Sequence, residues 1–152
     1  MCGIVGYAGF RQAYGMILEG LKTLEYRGYD STGIALINKE RGCMEVAKVA
    51  GAVNLLDQQA GGRFSFPSNL GIGHSRWATH GRPTDENAHP HLSCCKTIAL
   101  AHNGIIENHR LLRARLEQEG HRFLSQTDSE VLVHLVEKYY RGDLLAAMRE
   151  TL

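Results

Sequence analysis

At 152 residues, with 43% hydrophobic content and 17 glycines, the chain is long enough for one packed domain and short for two. Its 17 basic and 16 acidic residues leave a formal charge of +1 with no basic block, which argues against nucleic acid and anionic membranes as partners. No apolar run approaches the roughly 20 residues that span a bilayer, and the N-terminus lacks a secretory layout, so a cytoplasmic location is expected.

The segment Gly3 to Ala8 is short, apolar and partly β-branched, and predicts a buried strand starting almost at the N-terminus. From Arg11 to Tyr26, Ala13, Ile17, Leu21 and Leu24 recur at helical spacing, and Leu18 widens the apolar face into one that covers a sheet. Two strands follow, Thr32 to Ile37 and Met44 to Val49, joined by a polar hairpin loop over Asn38 to Gly42. A further strand pair is expected from Leu70 to His74 and Thr97 to His102, with a long loop between them that carries most of the histidines. The second half has a helical pattern. Asn108 can cap a helix running to about Glu119 and ended by Gly120, and Thr127 with Glu130 reads as a capping box opening a helix that Gly142 closes. Asp143 caps a third helix, in which Leu144, Leu145, Met148 and Leu152 line one face. That helix has no stop signal, so the sequence is expected to end before its domain does.

The four cysteines are Cys2, Cys43, Cys94 and Cys95. A chain this apolar needs no staples, so reduced thiols are expected, and the adjacent Cys94 and Cys95 lack the Cys-x-x-Cys spacing of a zinc knuckle. Cys2 follows the initiator directly. Removal of Met1 leaves a thiol and a free α-amine on one residue, with ordinary pKa values of about 8.5 and about 7.7–8.0, so the amine can take the thiol proton directly or through water. The competing reading is a small buried hydrophobe that begins a strand.

Three further segments carry chemistry. In Gly73-His74-Ser75-Arg76-Trp77-Ala78-Thr79-His80-Gly81, Arg76 offers a planar fork for a carboxylate, or alternatively pairs with a structural Asp or Glu. His74, His80, His89 and His91 raise the question of a metal, but no thiolate or carboxylate ligand at recognisable spacing accompanies them, so no metal is expected. In Ala101-His102-Asn103-Gly104 a side-chain amide and a backbone N–H can form an oxyanion hole, although Asn-Gly is equally a hairpin turn. Asp128 in a first helical turn suits the helix dipole, and can alternatively bind the α-ammonium of an amino acid whose carboxylate Arg76 holds.

Met1 to Gly6, Glu25-Tyr26-Arg27-Gly28-Tyr29-Asp30-Ser31, Arg76 to Pro83, Asn87 to His91 and His102 to Asn108 together resemble the glutaminase domain of the glutamine–fructose-6-phosphate aminotransferases. The resemblance covers essentially the whole chain. Its Tyr-Arg-Gly-Tyr-Asp-Ser segment is unlike the His-Arg-Gly-Gln-Asp-Ser usual in phosphoribosylpyrophosphate amidotransferases. The resemblance implies an α/β, four-layer αββα N-terminal-nucleophile hydrolase sandwich, truncated at its C-terminus, with residues 1–152 forming an incomplete glutaminase domain and the sugar-isomerase domains absent. It implies that Cys2 attacks the side-chain amide of L-glutamine to give a thioester, with Asn103 and Gly104 holding the oxyanion, Arg76 the α-carboxylate and Asp128 the α-ammonium. Thr79 and His80 would line the pocket, Trp77 would ride a loop that closes over glutamine, and Arg27 would support the nucleophile. No cofactor is implied. In a parent homo-oligomer the ammonia would pass to fructose 6-phosphate bound by the absent domains. Two alternatives stay open: the glutaminase of another class II amidotransferase, and a non-catalytic glutamine-binding domain, for which Cys2→Ala would leave function intact.

Overall fold

A computed structural model describes residues 2–77 and 81–152, with Arg27 described by its backbone alone. The chain orders as β1 (Gly3–Ala8), α1 (Ala13–Leu24), β2 (Ser31–Asn38), β3 (Cys43–Val49), α2 (Val53–Ala60), β4 (Leu70–Arg76), β5 (His91–Leu92), β6 (Ala99–Leu100), α3 (His109–Gln118), α4 (Glu130–Tyr139) and α5 (Leu144–Thr151). The first four strands form one antiparallel sheet in the order β1-β4-β2-β3, and β5 and β6 pair in a second, two-stranded sheet.

The alternation of side chains along β4 divides the first sheet into two working faces. Gly71 and Gly73 point at α1, and a Cβ on Gly73 would run into Ile17, so the missing side chains let the helix lie close against the central strand. On this side Ile17, Leu18 and Leu21 of α1 pack with Ile34 and Leu36 of β2 and with Val53 and Leu56 of α2, all buried. The opposite face carries His74 and Arg76 and receives the second layer. A Cβ on Gly33 would meet the carbonyl of His89, which places the segment leading into β5 directly on β2. Helix α4 packs on β5 and β6, and α5 packs on α4. The layer order is therefore helix, sheet, sheet, helix, as the resemblance implies.

Three local expectations change. The segment Leu70 to His74 does not pair with Thr97 to His102: β4 lies between β1 and β2, so both its edges are taken, and Ala99–Leu100 pairs with His91–Leu92 instead. Thr127 does not cap α4. Its hydroxyl is 2.8 Å from His91 Nε2 and 2.9 Å from Ser125 Oγ, while Glu130 accepts the backbone N–H groups of Leu124 and Ser125, each at 2.8 Å. Helix α2 stands where no element is expected, although its buried Val53, Leu56 and Ala60 have helical spacing. Asp143 caps α5 as expected, accepting the Ala146 N–H at 3.0 Å. The residue that α5 buries is Ala147, while Leu144, Leu145, Met148 and Leu152 stay exposed.

Candidate active site

Strand register alone brings the N-terminus to the functional face. Gly3 lies opposite Ser75 in the β1–β4 pairing, so the residue before β1 meets the residues that end β4. Cys2 Sγ accepts the Trp77 backbone N–H at 3.1 Å and lies 3.4 Å from the Trp77 carbonyl, which ties the thiol to the strand end. On the other side of β4, Ser31 lies opposite Arg76, and the Asp30 N–H donates to the Arg76 carbonyl at 2.8 Å. The Tyr26-Arg27-Gly28 turn contributes a seat. Gly28 has φ 88°, and any Cβ there would run into the Trp77 ring.

The second layer supplies the amide. Asn103 Nδ2 donates to the Cys2 carbonyl at 3.3 Å, while its Oδ1 lies 2.8 Å from His74 Nε2. Since Oδ1 only accepts, His74 must donate through Nε2–H, which leaves the NH2 of Asn103 turned towards Cys2. Burial lowers the His74 pKa to about 4, a fall that the bond to Asn103 opposes and the Arg76 charge reinforces, so the ring is neutral near pH 7. Gly104 follows with φ 154°, and a Cβ there would sit 2.8 Å from His102 Nε2.

His74 stacks on His89, and His91 meets His89 at a tilt of 60°, with ring centroids 4.4 Å apart at each step. Burial first, and then mutual and neighbouring positive charge, depresses all three pKa values, that of His91 to about 3. Each ring is engaged: His74 with Asn103, His89 Nδ1 as acceptor of the His102 N–H at 3.3 Å, and His91 with Thr127. These histidines are neutral positioning groups between the two layers. His80 lies outside the described residues.

Cys2, Arg76, Trp77, Gly104 and Asp128 line one cavity of ≈ 260 Å³, together with His74, His89, His102, Ile105, Thr127 and Ser129. The Arg76 guanidinium is buried, and its hydrogen bonds include the carbonyls of Gly81 at 3.3 Å and Arg82 at 3.5 Å. Burial lowers its pKa, opposed by Asp30, Cys2 and Asp128. Asp128 is also buried, with Oδ2 accepting the Ile106 N–H at 2.7 Å. The cavity therefore presents a thiol, an amide donor beside it, a cation and a carboxylate, the chemistry an α-amino acid with a side-chain amide calls for. Trp77 is 51% exposed at its rim.

Six of the nine sequence-expected site residues meet here: Cys2, Arg76, Trp77, Asn103, Gly104 and Asp128. Thr79 lies outside the described residues, as does the side chain of Arg27. The sequence reading missed the part played by His74, whose one available signal was its place two residues before Arg76 and hence on the same strand face. Among the described residues, the grouping with metal-ligand chemistry lies outside this cavity, at Cys94, His121, His134 and Glu137.

The family model of the glutamine amidotransferase domain matches residues 57–149. Over 152 residues, all of this chain, the sequence is 57% identical to a glutamine–fructose-6-phosphate aminotransferase (isomerizing) of Thermus thermophilus, of which it covers 25%. Over 151 residues it is 52% identical to the enzyme of that name from Aquifex aeolicus, again covering 25% of it. Among solved structures, glutamine phosphoribosylpyrophosphate amidotransferase from B. subtilis, complexed with ADP and GMP, superposes with a TM-score of 0.78 at 30% identity, over 99% of this chain and 32% of that one. The chain thus spans about a quarter of the length of the curated relatives it matches.

Proposed function

Because this chain belongs to the glutamine amidotransferase domain family, we propose that Cys2, freed by removal of Met1, hydrolyses the side-chain amide of L-glutamine. The observation that carries this reading is the convergence of Cys2, Gly104, Arg76 and Asp128, from four separate segments, on one cavity. The α-amine of Cys2 takes the thiol proton, and Sγ forms a bond to the amide carbon. The oxyanion is received by the Asn103 NH2, already turned to Cys2 by His74, and by the Gly104 N–H. The C–N bond then breaks, the leaving nitrogen takes the proton and departs as ammonia, and a thioester remains. Water hydrolyses it to glutamate and restores the thiol.

Arg76 holds the substrate α-carboxylate and Asp128 its α-ammonium; their burial raises the strength of both contacts. Trp77 closes over the glutamine pocket from its seat on Gly28; for Thr79, His80 and Arg27, outside the described residues or side chains, contact with glutamine and support of the nucleophile are roles that the family resemblance alone assigns. In the longer protein the ammonia aminates fructose 6-phosphate, giving glucosamine 6-phosphate for amino-sugar synthesis. The 57% identity to the Thermus thermophilus aminotransferase favours this acceptor over phosphoribosylpyrophosphate. Intact-mass measurement of the full-length protein should show Met1 gone from the active form. Cys2→Ala should abolish release of glutamate from glutamine, and an undiminished rate would overturn the assignment in favour of a binding domain.

A further inference from the structure

Away from the cavity, three segments bring a thiol, two imidazoles and a carboxylate to a common point. Cys94 comes from the turn between β5 and β6, His121 from the loop after α3, and His134 and Glu137 from successive turns of α4. Their ligand atoms all lie within 4.8 Å of one another. Cys94 Sγ is 3.6 Å from His134 Nδ1 and 3.8 Å from His121 Nδ1. Glu137 Oε2 is 3.3 Å from His121 Nδ1 and 3.6 Å from His134 Nδ1.

Those separations are the edges of a particular solid. Zinc bonds of roughly 2.3 Å to sulfur and roughly 2.0–2.2 Å to nitrogen or oxygen, at tetrahedral angles, place ligand atoms roughly 3.3–3.7 Å apart. The four distances fall in or beside that range. One thiolate and one carboxylate with two neutral imidazoles also cancel the charge of a divalent cation.

The surroundings orient each ligand. The Arg122 N–H points at Cys94 Sγ from 3.3 Å, leaving the sulfur as an acceptor. Glu137 Oε2 and Oε1 accept the N–H groups of Cys94 at 3.0 Å and Cys95 at 2.9 Å, which fixes the carboxylate against the turn that carries the thiol. His134 is 1% exposed, and its Nε2 has no hydrogen-bond partner but faces Glu130 Oε1 at 3.8 Å. Glu130 thus stands on the side of the ring from which a carboxylate supports a metal-binding imidazole, a little beyond hydrogen-bond distance. Phe123 packs on the same ring, with centroids 4.4 Å apart.

We propose that Cys94, His121, His134 and Glu137 form a structural zinc site that ties the β5–β6 turn and the post-α3 loop to α4. All four positions are filled by protein, so the site is closed to substrate. Its place is significant because α4 begins next to Asp128: a metal on this helix braces one wall of the cavity.

Cobalt(II) titration of the metal-stripped protein carrying Cys2→Ala, which removes the N-terminal thiol as a competing ligand, tests the assignment. One equivalent should bind with the intense visible bands of a tetrahedral site and a thiolate-to-cobalt charge-transfer band, and zinc should displace it and raise the thermal midpoint. Loss of a supporting partner alone typically weakens such a site by about 10–100-fold, so Cys94→Ser should abolish the charge-transfer band and weaken zinc binding by at least about 100-fold. Cys95→Ser should leave both unchanged. His134→Gln provides a second loss of ligand should the serine variant fold poorly. The proposal is overturned by a weak octahedral spectrum, by undiminished zinc affinity in Cys94→Ser, or by loss of the band in Cys95→Ser.

Discussion

Two groupings of thiol and imidazole occupy this chain, and they differ in what the imidazoles face. Around Cys2 one nitrogen of each of the His74, His89 and His91 rings is engaged, with an amide, a backbone N–H and a hydroxyl in turn, and the His74 bond joins the first sheet to the second layer. Around Cys94 the imidazole nitrogens of His121 and His134 face sulfur and a carboxylate oxygen. Residue type is shared between the two places; the partner of each nitrogen separates the proposed nucleophile from the proposed metal ligands.

The sharpest break between the regions is Cys2→Ala. Glutamate release should fall to background while zinc binding at Cys94 is untouched, as read by an amidase assay beside metal analysis of one preparation. Next, Asn103→Ala removes an oxyanion donor and should lower kcat by about 100–1,000-fold. His74→Ala should act in the same direction to a smaller extent, on kcat with KM held, because it frees the amide to turn; an effect on KM alone would make His74 a pocket residue instead. Arg76→Ala should raise KM for glutamine by about 10–100-fold, the equivalent of one lost charge-assisted hydrogen bond. An unchanged KM would remove Arg76 from carboxylate recognition.

Acid should distinguish the regions by stability. His74 and His91 titrate at about 4 and about 3 in the fold, against roughly 6.5 when unfolded, so below pH 6.5 the unfolded chain takes up protons that the fold refuses. Stability is complete above that pH and falls as pH drops towards 4, by on the order of 1 kcal/mol per pH unit for each histidine. Glu130 and Glu137, whose pKa values are depressed, add their own losses only at lower pH, as it falls below the usual carboxylate value. Denaturant midpoints at pH 7 and pH 5 measure the difference, and equal midpoints would mean that the two rings are already charged in the fold. The smallest effect belongs to the cap of α5: Asp143→Ala should cost about 1 kcal/mol in thermal or denaturant unfolding and leave both sites as they are.

The readability of the chain followed the range of the interactions involved. β1, α1 and the β2–β3 hairpin are set by periodicity and turn residues close in sequence, and they fall where the pattern places them, although β1 is a half-exposed edge strand and not the buried one expected. The pairing of β4 is not legible locally, because pairing depends on which edges are free, and β4 has none. Thr127 has the local signature of a cap, yet His91, 36 residues away, takes its hydroxyl. Asp143 keeps its cap, accepting the N–H of Ala146 three residues on.

By itself the sequence determined the chemical inventory of the cavity: a cysteine after Met1, an arginine fork, an Asn-Gly step and an aspartate, in an order that matches one family. Only the tertiary structure decided that His74 turns the Asn103 amide towards Cys2, and that Cys94, His121, His134 and Glu137 meet. The reason is distance along the chain. The last four are spread over a sequence separation of 43, through turn, loop and helix, with no spacing that a local pattern could betray, and they converge because α4 packs on the short second sheet whose turn carries Cys94.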